Sequence, residues 1–264
     1  MTAVLPGYGR VDTVLCDIDG VVVLGKDPVP GAGKALQTMH DAGIRVLFVT
    51  NNSTKTRATI AKVLRDTVGF DPGADAVVNS GVATGQFLAG KVEAVYVLGT
   101  DGLRESLRDS GVNVVEDWHE ADAVVTGLDF NLSYASLVGA TLAVQHGATF
   151  YATNDDSTYP TAEGLYPGAG SISAVVERAT GLTPIVCGKP YEPMRTLLEQ
   201  YAGDHPLIVG DRADTDIALG KAEGWATALV MTGVTTDVGD IPHRYQPDIV
   251  LESLAELPAA LGLS

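Results

Sequence analysis

Asp17 and Asp19 stand two residues apart in the run Val14-Leu15-Cys16-Asp17-Ile18-Asp19-Gly20. If the chain is still extended there, the two side chains project from the same face. Carboxylates that close repel each other unless a cation or a shared proton compensates. A hard divalent cation such as Mg²⁺ would compensate, and it would also attract a phosphate. Gly20 lets the backbone turn sharply or approach a ligand closely. On its own the run reads equally as a strand that ends in an acidic, solvated turn.

Three further polar clusters follow apolar runs. Thr50-Asn51-Asn52-Ser53 follows Arg45–Phe48-Val49, Gly188-Lys189-Pro190 follows Ile185-Val186-Cys187, and Asp211, Asp214 and Asp216 follow Leu207-Ile208-Val209. Taken singly, these read as a helix cap or turn, a surface turn and a solvated acidic loop. Together they supply carboxylates, a hydroxyl, amides and one ammonium. Ligands of open α/β sheets bind at the carboxyl ends of the strands. If these strands are parallel, all four clusters fall on one edge.

The pattern between the clusters predicts such a sheet. Helices are expected over Ala32–Ala42, Thr56–Val68, Gly102–Ser110 and Tyr134–His146. Strands are expected over Arg45–Thr50, Ala76–Val78, Val95–Leu98, Val112–Val115, Ala123–Thr126, Thr149–Ala152, Ala226–Met231 and Asp248–Leu251, and Ser80 is placed to cap a helix. Apolar strands alternating with helices argue for parallel pairing. From about Val95 a further α/β stretch of roughly 90 residues lacks the acidic and Thr-Asn-Asn signals, and reads as an inserted or second domain.

Composition excludes other classes. The 264 residues carry a net charge of −16 with no basic block, which argues against nucleic acid or an anionic membrane surface as partner. Two cysteines, Cys16 and Cys187, cannot build a disulfide framework and suit a reducing compartment; both are expected to be buried and inert. The first residues lack the features of a signal peptide, and no apolar run reaches the ~18–20 residues that span a bilayer. A cytoplasmic location is the expectation. The histidines show no metal-ligand spacing. Gly31-Ala32-Gly33-Lys34-Ala35 lacks the first glycine and the hydroxyl residue of a P-loop, and Gly168-Ala169-Gly170-Ser171-Ile172-Ser173 lacks the third glycine of a dinucleotide fingerprint, though it can open a helix.

The ordered set DxDG, TNNS, GKP and GDRxxTD resembles the haloacid dehalogenase superfamily, and specifically its NagD-like branch of phosphatases. DIDGVVVLG, VTNNSTKTR, ATNDD, PTAEGLYPGAGS, VCGKP and VGDRADTDI carry the likeness, which runs from Asp12 to about Leu254. Thr54 and the valines after DxDG depart from the branch without touching the chemistry. The resemblance implies an α/β protein with a Rossmann-like parallel-sheet core, residues 1–90 and 184–264, and an inserted smaller α/β cap, residues 91–183. It implies Mg²⁺ held by Asp17, the backbone carbonyl of Asp19, and Asp211, with Asp216 acting through water or as an orienter. Asp17 would be the nucleophile and Asp19 the general acid and then base. Thr50 and the Asn51 backbone N–H would hold phosphate, and Lys189 would neutralise it. The cap loop, through Asn154 and Asp155, would read the leaving group. The partner implied is a small phosphorylated metabolite, and the assembly a homodimer through the cap. A phosphomutase and a non-catalytic binder stay open as alternatives. A dehalogenase would need neither Asp19 nor the acidic cluster.

Overall fold

The apolar runs that end in polar residues become strands of parallel sheets, covered on both faces as their unbroken hydrophobicity requires. The computed structural model describes residues 4–5, 9–161 and 163–263. Residues 1–3 and 6–8, part of the segment read above for a leader, and Ala162 of the cap loop lie outside the described residues. In order the chain forms β1 (Thr13–Cys16), α1 (Ala32–Asp41), β2 (Arg45–Thr50), α2 (Arg57–Val68), β3 (Val77–Asn79), α3 (Ser80–Leu88), β4 (Val95–Leu98) and α4 (Asp101–Asp109). It continues with β5 (Val114–Val115), β6 (Ala123–Thr126), α5 (Tyr134–Gln145), β7 (Thr149–Ala152), β8 (Thr158–Thr161), β9 (Gly164–Pro167), α6 (Ala169–Thr180) and β10 (Ile185–Val186). α7 (Glu192–Glu199), β11 (Pro206–Gly210), a π-helical turn (Ala213–Ile217), α8 (Ala218–Glu223), β12 (Ala226–Val230) and β13 (Ile249–Leu251) follow. No helix among the described residues is long and apolar enough to cross a membrane.

The chain divides into two compact units: Met1–Thr50, Ala58–Val78 and Leu198–Ser264, and Asn51–Arg57 with Asn79–Leu197. The sequence-based division into 1–90 with 184–264 and 91–183 uses different limits; α3 and β10 lie in the second unit. In the first unit the sheet runs β13-β12-β11-β1-β2-β3. Leu15 pairs with Ile208 of β11 and Leu47 of β2, both in parallel register. Gly210, Cys16 and Thr50 therefore end their strands on one edge. Val14, Cys16, Val46, Phe48 and Val209 pack with Leu36 and Met39 of α1 and Leu64 of α2 in one core. Ile217, Leu229 and Ile241 form a second cluster. α1 buries the stripe Ala32, Ala35, Leu36 and Met39, which is the helical spacing expected.

The second unit repeats the principle. Its sheet runs β10-β7-β6-β4-β5, parallel throughout. Leu88, Leu103 and Leu107 of α3 and α4 pack with Val125 and Cys187 in one core, and Ala140, Val144 and Val176 of α5 and α6 pack with Val124 and Phe150 in another. Ser133 opens α5 with a capping box: its hydroxyl accepts from Ser136 N–H at 3.0 Å, and the Ser136 hydroxyl accepts from Ser133 N–H at 3.1 Å.

Several expectations need correction. The cap of α3 is Asn79, whose side chain accepts from Val82 N–H at 2.8 Å, while Ser80 is the first helical residue. The strand expected over Val112–Val115 pairs only at Val114–Val115. The strand before Lys189 belongs to the second unit's sheet, where Ile185 and Val186 pair with Tyr151 and Ala152. Three of the four polar clusters therefore share one edge, and Lys189 extends another. Thr158–Thr161 and Gly164–Pro167, where no strand was expected, pair antiparallel as the β8–β9 hairpin.

Candidate active site

The first unit supplies the acids. Asp17 is the residue after β1, and its N–H continues the ladder by donating to Val209 O at 2.9 Å. Asp211 follows β11. Asp216 comes from the π-helical turn, in which Ile217 N–H reaches back to Arg212 O at 3.2 Å. The extra residue in that turn carries Asp216 back to the strand end, and such insertions are frequent at functional sites. Carboxylate oxygens of Asp17, Asp211 and Asp216 all lie within 4.8 Å of one another, and the three residues are 8%, 2% and 1% exposed.

Backbone and hydroxyl donors hold two of these acids. Asp211 Oδ2 accepts from Val234 N–H at 2.7 Å, and Asp216 Oδ2 accepts from Arg212 N–H and Thr215 Oγ1, both at 3.3 Å. Each pair of unit charges at such a separation repels by on the order of 3–4 kcal/mol at an effective dielectric of about 20. A divalent cation removes that repulsion, and a set of buried carboxylate oxygens is what a hard cation prefers. Gly20, at φ 86°, is required here: a Cβ at that position would sit 2.4 Å from Asp211 Oδ2.

Asp19 lies outside this cluster of side chains. It is exposed, in a turn closed by Gly20 N–H donating to Val23 O at 2.8 Å and by the Thr232 hydroxyl donating to Gly20 O. Thr50 ends β2 and is 3% exposed.

Within the second unit, a buried lysine stands among amides. Lys189 is 2% exposed, two residues past the sheet bond from Cys187 N–H to Ala152 O. Its N–H donates to Asn51 Oδ1 at 2.7 Å, and Asn51 Nδ2 donates to Lys189 O at 3.2 Å. The Asn51 carbonyl accepts from Asn154 Nδ2 at 2.8 Å and from the Ser80 hydroxyl at 2.6 Å. Asn154 Oδ1 accepts from Asp156 N–H at 3.1 Å, so both ends of that buried side chain have partners within the unit. Asp155 is exposed and accepts from the Tyr191 hydroxyl. It lines a cavity of about 330 Å³ with Asn154, Ser171, Glu177, Thr183 and Tyr191. Both thiols are buried; Cys16 Sγ donates to Asp17 O at 3.2 Å, and burial pushes the Cys187 thiol up to about 12.

Sequence reasoning missed the segment after β12, where Thr232 and Val234 brace Gly20 and Asp211; a Thr-Gly pair just past an apolar strand was its only signal. It also missed the bonds made by the side chains of Asn51 and Tyr191.

A parallel α/β sheet with a buried carboxylate cluster at its carboxyl edge defines a class: a protein built to hold a hard cation and, through it, an anion. Residues 14–113 match the family described as haloacid dehalogenase-like hydrolase, and residues 186–257 match the related HAD-hydrolase-like description. The acid sugar phosphatase of Staphylococcus aureus is 40% identical over 253 residues, which is 92% of this chain and 96% of that protein. The glycerol phosphate phosphatase of Mycobacterium tuberculosis, solved in complex with magnesium, superposes with a TM-score of 0.89 at 33% identity, over 97% of this chain and 79% of that one. NagD of Escherichia coli K-12 gives 0.84 at 30% identity, over 93% of this chain and 98% of that one. The chain belongs to the haloacid dehalogenase-like hydrolases, in their NagD-like phosphatase branch.

Proposed function

We propose that this chain is a Mg²⁺-dependent phosphomonoesterase for small phosphorylated metabolites of the sugar- or glycerol-phosphate kind, with p-nitrophenyl phosphate as an artificial substrate. The buried cluster of Asp17, Asp211 and Asp216 carries the reading, and the names of the similar proteins narrow the substrate class.

Asp17, the Asp19 carbonyl and Asp211 would hold the ion, with Asp216 orienting them. When bound, Mg²⁺ neutralises the crowded carboxylates and draws in the phosphate. Asp17 attacks phosphorus as the bond from phosphorus to the ester oxygen breaks, and Asp19 gives its proton to the departing oxygen. The Asp19 carboxylate then takes a proton from water as the water oxygen attacks the phosphorus on Asp17. Inorganic phosphate leaves and Asp17 is regenerated. Thr50 and the Asn51 N–H hold phosphoryl oxygens, and Lys189 neutralises them. Substrate choice falls to the loop of Asn154 and Asp155: Asp155 through its exposed carboxylate, Asn154 by holding the loop. The proposal keeps the core of 1–90 and 184–264 with a cap of 91–183, a cytoplasmic setting, and a homodimer joined through the cap.

The test is phosphate release from a panel of monoesters by protein stripped with chelator and then reloaded. Release that needs Mg²⁺ and favours sugar or glycerol phosphates is expected. No release from any ester in Mg²⁺ overturns the reading.

A further inference from the structure

Lys189 reaches its place without much help from the sheet. β10 contributes two paired residues, and its last ladder bond is Cys187 N–H to Ala152 O at 2.9 Å. Beyond that, both peptide groups of Lys189 are met by one side chain. The Asn51 amide accepts from the Lys189 N–H at 2.7 Å and donates to the Lys189 carbonyl at 3.2 Å. A carboxamide offers an acceptor and a donor side by side in one plane whatever the pH. An aspartate would lose the donor, and a leucine would lose both.

The base of this amide is itself fixed. Asn154 Nδ2 and the Ser80 hydroxyl both donate to the Asn51 carbonyl, at 2.8 and 2.6 Å. A second, independent feature fits the same contact. A Cβ on Gly188 would lie 2.6 Å from Asn51 Oδ1 and 2.5 Å from Thr153 O, so only glycine lets the chain close on the amide.

We infer that the Asn51 side chain is a positioning residue for Lys189, clamping the lysine by its backbone so that the ammonium is held in one place. A lysine stem has four rotatable bonds, so its ammonium can be placed reproducibly only if its root is fixed as well. This role is separate from the phosphate contact assigned to the Asn51 backbone N–H, and it rests on the proposal that Lys189 neutralises the phosphoryl group.

The test is a double-mutant cycle on the Mg²⁺-loaded protein with two readouts: calorimetric affinity for inorganic phosphate, and the separate kcat and KM for p-nitrophenyl phosphate. Asn51→Ala removes the clamp and leaves the backbone carbonyl with its donors. It should weaken both phosphate affinity and kcat/KM by about 10- to 100-fold, the usual scale for small misplacement of a charged group. In the Lys189→Ala background the same change should cost less than about threefold, because the group it positions is gone. Asn51→Ser, which also removes both contacts, should repeat the result and stands in if the alanine variant does not fold. Losses that add across the cycle would show that Asn51 acts without Lys189, and unchanged affinity in Asn51→Ala or Asn51→Ser would overturn the inference outright. If Lys189→Ala itself leaves phosphate affinity unchanged, the assigned role of Lys189 fails first, and the clamp falls with it.

Discussion

In the first unit the carboxyl edge of a parallel sheet collects Asp17, Asp211 and Asp216, three buried carboxylates within 4.8 Å. In the second unit another parallel sheet ends in Asn154 after β7 and Lys189 after β10, a buried cation among amides. Both sheets are parallel though their strand orders differ, and the chemistry at their ends is opposite. The acid cluster crowds three buried carboxylates, the kind of oxygen set that a hard cation prefers. The amide network of Asn51 and Asn154 is satisfied within the protein, so it holds position. Crowded charge marks where a ligand is to be bound, and paired amides mark where a catalytic group is to be kept still.

Substitutions in the two units should therefore fail differently. Asp17→Asn should lower turnover by at least about 10⁴-fold with the fold kept, since an amide cannot carry the phosphoryl group. Turnover near wild type in steady-state assays would remove Asp17 from that role. Asp211→Ala should cost about 10²- to 10³-fold and be partly recovered by raising Mg²⁺, and chelation of the wild type should be reversible. Full activity in exhaustively chelated buffer would mean that the first unit needs no metal.

Effects in the second unit should be smaller and selective. Asp155→Ala should reorder kcat/KM among phosphate monoesters by roughly 5- to 150-fold, the range for a lost hydrogen bond to a buried substrate group. Asn154→Ala should instead lower all substrates alike, because its side chain serves the Asn51 carbonyl and the Asp156 N–H. A panel from acetyl phosphate to nucleoside monophosphates distinguishes the two patterns, and a uniform loss in Asp155→Ala would count against substrate reading. The smallest effect concerns Cys187. With its thiol pushed up to about 12 by burial, almost no thiolate exists at pH 8, so iodoacetamide should leave the native protein unmodified there. Denatured protein, with the thiol back near its usual ~8.5, should react readily. The sign for stability follows: as pH rises above that range the unfolded chain loses this proton while the folded one keeps it, and the contribution of Cys187 to stability declines.

What could be read from the sequence was what local pattern controls. Asp17, Thr50 and Asp211 directly follow apolar runs, and these runs become central parallel strands, so the carboxyl edge of the first sheet was legible. Asp216 was legible as one of the acids after β11 and, from the resemblance, as a residue near the metal; the π-helical turn that brings it within reach of Asp17 and Asp211 has no periodic signature. Lys189 was placed after a strand correctly, but on the wrong sheet: Ile185-Val186 is too short to declare a partner, and pairing with β7 is a long-range choice. The capping of α3 turned on one residue, since Asn79 and Ser80 are both good caps and the Ser80 hydroxyl instead donates to the Asn51 carbonyl. The bracing of Asp211 by Val234 was hidden because it uses a backbone N–H, which any residue type provides.

The most direct measurement is of the phosphoryl group on Asp17. Asp19→Asn should still be phosphorylated by p-nitrophenyl phosphate, whose leaving group hardly needs a proton, but should hydrolyse the acyl-phosphate slowly because no base activates water. Rapid acid quench of that variant with p-nitrophenyl phosphate and Mg²⁺, followed by peptide mapping, should find phosphate on Asp17 in near-stoichiometric amount, with far less formed from an alkyl phosphate. A burst of nitrophenol with no phosphate on Asp17, or with phosphate on another residue, would contradict the assignment of the nucleophile.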